Sequence, residues 1–186
     1  MPVIPYVKQG APFVDTAGAS GTFNAAKANA MDAGIFEAMQ QPAVRVFHNT
    51  TQSLTTATLT ALAFNSERFD QAGGSASTMH DTVTNNTRLT ALYAGIYQVS
   101  GTIEFAANST GDRAIAIRVG PTGPTIIAYH QMTAAASGNS RMSISTIYNL
   151  AVNDYFELMA FQTSGAGLNV TSTANYSPEF GMVRVA

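Results

Sequence analysis

From Ile96 onward the chain alternates without a slip. Tyr97, Val99, Gly101, Ile103 and Phe105 fall on one side, and Gln98, Ser100, Thr102 and Glu104 on the other. Successive side chains of a strand point to opposite faces of a sheet, so this period predicts a half-buried strand with the first set inward. Ala94-Gly95 interrupts an earlier alternation of Leu89, Ala91 and Tyr93, so residues 88–107 read as two strand segments. The pattern recurs downstream. Ile115, Ile117 and Val119 share one face in residues 112–120, and Met142, Ile144, Thr146, Tyr148 and Leu150 share one in 141–150. Further strands are predicted at 43–49, in places over 56–64, at 125–132 after the turn Gly120-Pro121-Thr122-Gly123-Pro124, at 154–162 after Asn153-Asp154, and at 167–170 and 179–185. Short strands and turns at regular spacing, with no helix between them, predict an all-β sandwich or jelly roll.

The segment 154–162, DYFELMAFQ, departs from the pattern. Tyr155, Met159 and Phe161 lie on one face, and Phe156, Leu158 and Ala160 on the other. A strand of a two-sheet sandwich buries one face, so the second apolar face calls for another cover. Another copy of the chain is the favoured cover; the helical segment or a loop is the alternative.

Residues 1–42 read differently from residues 43–186. Prolines at 2, 5 and 12 fix φ and remove donors, so the start is an extended arm. Val3, Ile4, Tyr6, Val7, Phe13, Val14 and Phe23 make that arm too apolar for a solvated linker. A helix is predicted over 24–41, rich in Ala, Met, Glu and Gln, with Thr22 or Asn24 as N-cap and Pro42 as the stop. Ala28, Met31, Ile35 and Ala38 form a narrow stripe, with Phe36 and Met39 beside it. The stripe either packs on its own domain or meets symmetry mates or a larger body.

Composition narrows the function classes. The chain has 186 residues, 46% of them apolar, enough for a core, but only 11% charged. Its polar surface is therefore built from Ser, Thr, Asn, Gln and Gly. A net charge of −2 and the lack of a basic run give no case for nucleic acid or anionic lipid. With no cysteine there are no disulfides, thiol nucleophiles or thiolate metal sites. No leader-like stretch opens the chain and no apolar run approaches a membrane helix, so we expect synthesis in a cytoplasm without export by its own signal.

Little in the sequence points to catalysis. His48, His80 and His130 lack ligand spacing, and no Gly-x-Ser-x-Gly elbow is present. The Gly-rich stretches lack the lysine and helix of a phosphate loop. Glu104 projects from the polar face of its strand. Glu157 sits on a mostly apolar face and calls for an arginine, most simply in a structural ion pair across a subunit contact. Asp70, Asp81, Asp112 and Asp154 fall in predicted turns.

The order of segments carries a resemblance. FNSERFDQAG leads to TRLTALYAGIYQVSGTI, then LAVNDYFELMAFQ, GLNV and PEFGMVRV. Residues 43–186 thereby resemble the globular heads of the first complement component, kin of tumour necrosis factor. Ala94-Gly95-Ile96-Tyr97, Leu150 to Asp154 and Phe180-Gly181 stand at the family's positions. The resemblance implies a jelly roll that trimerises about a hydrophobic axis; Tyr97, Phe156 and Leu158 are the residues expected in that interface. The chain lacks the collagen-like stretch and cysteines of the animal proteins.

The segment SGTFNAAKANAMDAGI is similar to one that opens many bacteriophage tail, baseplate and head-fibre proteins, although Ala28 stands where that pattern prefers Leu. The two resemblances together imply a phage virion surface protein, made in the host cytoplasm. In this expectation residues 1–42 attach the protein to the particle through Ile4, Tyr6, Phe13, Phe23, Ile35 and Phe36, and residues 43–186 form a displayed homotrimer. The expected partner is the major capsid protein or another virion protein, and the expected role a non-enzymatic capsid decoration or head fibre, with no cofactor and no metal. The alternatives are a tail-fibre tip engaging host cell-surface glycan and a free ligand-binding module. Loops near 71–87 and 133–140, small and polar without aromatics, weigh mildly against glycan binding.

Overall fold

The computed structural model describes residues 25–39, 41–73, 77–121 and 124–186. The chain divides into two compact units, Met1–Gln41 and Pro42–Ala186. In the first, α1 spans Ala25–Met39, close to the predicted helix. Ala28 is buried, while Met31 and Ile35 are exposed.

The second unit is built from β1 (Ala43–Phe47), β2 (Gln52–Leu54), β3 (Thr60–Ala61), β4 (Ser66–Gln71), β5 (Arg88–Thr90), β6 (Gly95–Phe105), β7 (Asp112–Gly120), β8 (Thr125–Thr133), β9 (Ser140–Leu150), β10 (Tyr155–Gln162), β11 (Leu168–Val170) and β12 (Glu179–Arg184). These form two antiparallel sheets. In the first, β6 carries β9 along one side. Along its other side β6 pairs with β12 and then, at Phe105, with β11. β12 continues through β1 to β4, and β11 to β2. In the second sheet β10 pairs with β7 on one side, and with β5 and β3 on the other, while β8 closes the far edge beyond β7.

The sheets pack face to face over one core, a two-sheet jelly-roll sandwich. The alternating set Tyr97, Val99, Ile103 and Phe105 is fully inside, with Ile115, Ile117 and Val119 of β7 opposite it in the same cluster. β-Branched residues suit these positions because they pack well on a pleated surface. Phe64 and Phe180 stack with centroids 5.7 Å apart. At Gly101 the sheets approach most demandingly: a Cβ there would lie 2.5 Å from Leu158 Cδ1 of the facing sheet. The missing side chain makes room for the leucine.

The structure adds strands that the pattern does not predict. β4 reads Ser-Glu-Arg-Phe-Asp-Gln, is largely exposed, and pairs with β1 alone; an edge strand with both faces wet needs no apolar alternation. Of the predicted strand 56–64 only Thr60–Ala61 keeps ladder pairing, although Leu62 and Phe64 are fully buried. Asp70 lies within β4 and Asp112 opens β7, not in turns. Asp81 and Asp154 do hold turns, Asp81 by accepting from the Val83 and Thr84 amides and Asp154 from that of Ala151.

Candidate functional site

β8 and β9 are the last strands of their sheets on the same side of the sandwich. No strand follows either, so residues that face inward along them are only partly covered. Ile144 and Thr146 of β9 are half-buried and Tyr148 is 40% exposed, although all three point toward the core. Tyr148 reaches in far enough to meet Phe156 edge-on, with centroids 6.4 Å apart. Across the seam, Ala128 and Met132 of β8 are half-buried and packed against the same core. The outward faces add Ile126 and Tyr129 from β8 and Ile147, 63% exposed, from β9. The core therefore reaches solvent along this edge, flanked by exposed aliphatic and aromatic groups. Exposed apolar groups beside an open sheet edge are the usual material of an interaction surface.

The residues expected in the trimer interface lie elsewhere. Tyr97, Phe156 and Leu158 are each 0% exposed within one chain. Register gives the reason: Phe156 stands opposite Val119 and Leu158 opposite Ile117, which places both on the inward face of the second sheet. Tyr97 is closed off further by its hydroxyl, which donates to the Tyr93 carbonyl at 2.8 Å. The alternation is as expected, and it places all three in the core of a single chain. The second apolar face of β10 also has cover from its own chain. Met159, on that face, is 1% exposed between Ala116 and Ala61 on the neighbouring strands. Of the expected anchors, Ile4, Tyr6, Phe13 and Phe23 lie outside the described residues. Ile35 is exposed on α1, and the Phe36 side chain lies outside the described set.

Glu157 finds its arginine within the chain, not across a subunit contact. Arg118 donates to its Oε2 from Nε at 2.9 Å and from Nη2 at 2.5 Å, and the Thr87 hydroxyl donates to Oε1 at 2.8 Å. The sequence gives no hint that two other glutamates share this arrangement. Glu179 accepts from Arg45 at 2.5 Å and from Arg68 at 2.8 Å. Glu104 accepts from Arg141, Asn139 and Tyr176. Burial pushes the Glu104 carboxyl up, but these three hydrogen bonds and the Arg141 charge outweigh it and hold the group below the usual glutamate range. All three carboxylates are nearly covered, and each is matched by cations from neighbouring strands, so their role is structural.

Arg113 is likewise fully buried. Its guanidinium donates to the carbonyls of Asn108, Thr110 and Asp112 and fixes the loop before β7. His80 is buried between the Glu67 carboxylate, 3.0 Å from Nδ1, and the Asn86 carbonyl. Among the described residues no three His, Asp or Glu gather as a metal site, and no helix is long and apolar enough to cross a membrane.

The architecture has clear counterparts among solved structures. Murine APRIL at pH 5.0 superposes with a TM-score of 0.57 at 11% identity, covering 78% of this chain and 99% of that one. The globular domain of zebrafish complement 1qA protein gives 0.55 at 14% identity, with 78% and 98% covered. Eiger TNF from S. frugiperda gives 0.56 at 11% identity, with 79% and 94% covered. The fold is therefore the jelly roll of tumour necrosis factor and the complement globular heads. At these identities the likeness is one of fold alone. No protein-family model matches the chain. No curated protein matches it either.

Proposed function

We propose that this chain is a non-enzymatic structural protein of a bacteriophage particle, a self-associating jelly roll carried on the virion surface by residues 1–42. The observation that carries the self-association is the β8–β9 seam, where Tyr148, Ile147, Tyr129 and Ile126 remain exposed beside an incompletely closed core. A second copy that covers the seam removes this apolar surface from water. The trimer implied by the sequence resemblance is the closed form this association takes. The virion assignment draws on the segment 20–35 and its likeness to the openings of phage tail, baseplate and head-fibre proteins. Capsid decoration or a head fibre is the favoured role. Binding only the assembled shell stabilises it by mass action.

A second reading, a receptor-binding tail fibre that engages host glycan, draws on a polar cavity beside Arg88 and Tyr155. Labelling purified virions with a gold-tagged antibody against residues 43–186 tests both. Gold over the head supports decoration, and gold at the tail end supports receptor binding. Unlabelled particles overturn the virion assignment. Sedimentation of the full chain tests the trimer separately, and a monomer at micromolar concentration overturns it.

A further inference from the structure

At one end of the sandwich β5, the start of β10 and the loops at 78–85 and 153 border an open pocket of about 430 Å³. One wall is the guanidinium of Arg88. It sits over the Tyr155 ring, with Cζ 4.2 Å from the ring centroid. Tyr155 in turn rests against Gly120, where a Cβ would fall 2.6 Å from the ring. Gly120, Tyr155 and Arg88 thus form a stack that holds the cation in place.

Glu157 meets the charge of this cation, but the cation's Nε makes no hydrogen bond. Glu157 is its acidic neighbour, yet the separation to Arg88 Nε is 3.6 Å, beyond a hydrogen bond. The two oxygens of Glu157 are already taken by Thr87 and Arg118. Arg88 Nε is buried with no hydrogen-bond partner, a condition native proteins seldom leave unexplained. Around it the cavity presents the neutral side chains of Thr78, Thr84, Thr90, Asn85 and Asn153. Asn85 and Asn153 hold φ at 53° and 71°, left-handed conformations uncommon outside glycine.

We propose that this cavity binds a carboxylate-bearing sugar, with the carboxylate on Arg88 and the ring hydroxyls on the threonine and asparagine side chains. With Nε buried, the two terminal nitrogens of Arg88 are the donors that a carboxylate in the pocket can accept from. A ring of amides and hydroxyls matches a ligand covered in hydroxyls, and a pocket of this size suits a small molecule. His80 and Asp81 also line the pocket; Asp81 Oδ1 already accepts the Val83 and Thr84 amides, which leaves Oδ2 as an acceptor for a sugar hydroxyl. A sugar site here deepens the glycan-binding reading above, and ligand binding tests it whichever part of a particle carries the protein.

Calorimetry and saturation-transfer NMR on the full chain decide it, with glucuronic and galacturonic acid as probes and glucose and galactose as their neutral counterparts. The acids are expected to bind at least about tenfold more tightly than the neutral sugars. Arg88→Gln is expected to abolish that preference. The double variant Asn85→Gly, Asn153→Gly keeps both backbone conformations accessible and is expected to weaken all four sugars while the protein stays folded. Absence of binding at millimolar acid overturns the proposal, as does binding unchanged by Arg88→Gln. Acetate binding as tightly as glucuronic acid overturns the saccharide assignment.

Discussion

β10 and β9 make an instructive pair. β10 is the most apolar strand of the chain, with large side chains on both faces, and by pattern alone it is the strand that needs an external partner. β9 is modest, mixing Ser, Thr and Asn with its apolar residues. The structure reverses the expectation. β10 sits inside its sheet, flanked by β7 on one side and β5 and β3 on the other, and its middle, Phe156 to Ala160, is buried within one chain on both faces, while Tyr155 and Phe161 are half-buried. β9 has a neighbour on one side only, and its inward Tyr148 still reaches solvent. The place of a strand in the sheet order, more than its hydrophobicity, decides where apolar surface is left for a partner.

The largest expected effect breaks the comparison at β10. Phe156→Ala removes a fully buried ring from the core and is expected to cost roughly 3–5 kcal/mol of folding stability. Denaturant unfolding checks this. Any effect on association is expected to be smaller than that of a change at Ile147 and to run through Tyr148, which rests edge-on against Phe156, because no copy can touch Phe156 itself. A selective loss of association without loss of stability would return Phe156 to the interface.

Gly101→Val probes the other wall of the same contact. Its new methyls meet Leu158, whose Cδ1 already stands 2.5 Å from the position of a first Cβ. Overpacking of this kind costs about 1–3 kcal/mol. Pairing it with Leu158→Ala, in a double-mutant cycle, is expected to recover part of that cost. Purely additive losses would place the strain elsewhere.

At the edge the expected effect moves from folding to association. Ile147 is 63% exposed and points away from the core, so Ile147→Asp is expected to change folding stability by less than about 0.5 kcal/mol. A desolvated, unpaired aspartate in the seam is expected to weaken self-association at least about tenfold, or roughly 1.4 kcal/mol. Sedimentation equilibrium of the variant beside the parent reads it. Association unaffected by the charge would remove the outer side of β9 from the interface.

How far the sequence leads is visible in these same residues. The inward set Tyr97 to Phe105 and the outward set Gln98 to Glu104 are legible because period-two alternation over a long strand leaves one solution. The helix over Ala25–Met39 is legible from its composition. β4 is not, because Glu67, Arg68 and Asp70 alternate in charge on an exposed edge and carry no hydrophobic signal. The position of β10 within its sheet is not legible either, since sheet order rests on pairings between distant segments. The cavity beside Arg88 joins residues from Thr78 to Tyr155 that only the folded register brings together. The single trace in sequence of its design is Gly120, and nothing local distinguishes that glycine from a turn residue.

The smallest expected effect separates two carboxylates, one per sign. Burial is the leading influence on Asp70 and raises its pKa, against hydrogen bonds from the His80 and Met79 amides that pull it down. Its folded form holds a proton more firmly than the unfolded chain, so its contribution favours folding at low pH and fades as pH rises through that raised value. Glu104 runs the other way. With its folded pKa depressed by Asn139, Arg141 and Tyr176, it contributes stability above the ordinary glutamate range, and that contribution is lost as pH falls through the lowered value. Glu104→Gln is therefore expected to lower stability near neutral pH and to flatten the acid limb of the stability profile, while Asp70→Asn steepens it. Unfolding midpoints measured from neutral pH down to the carboxylate range distinguish the two. If Glu104→Gln left the acid limb as steep as in the parent, its three hydrogen bonds would not be what keeps that carboxylate charged.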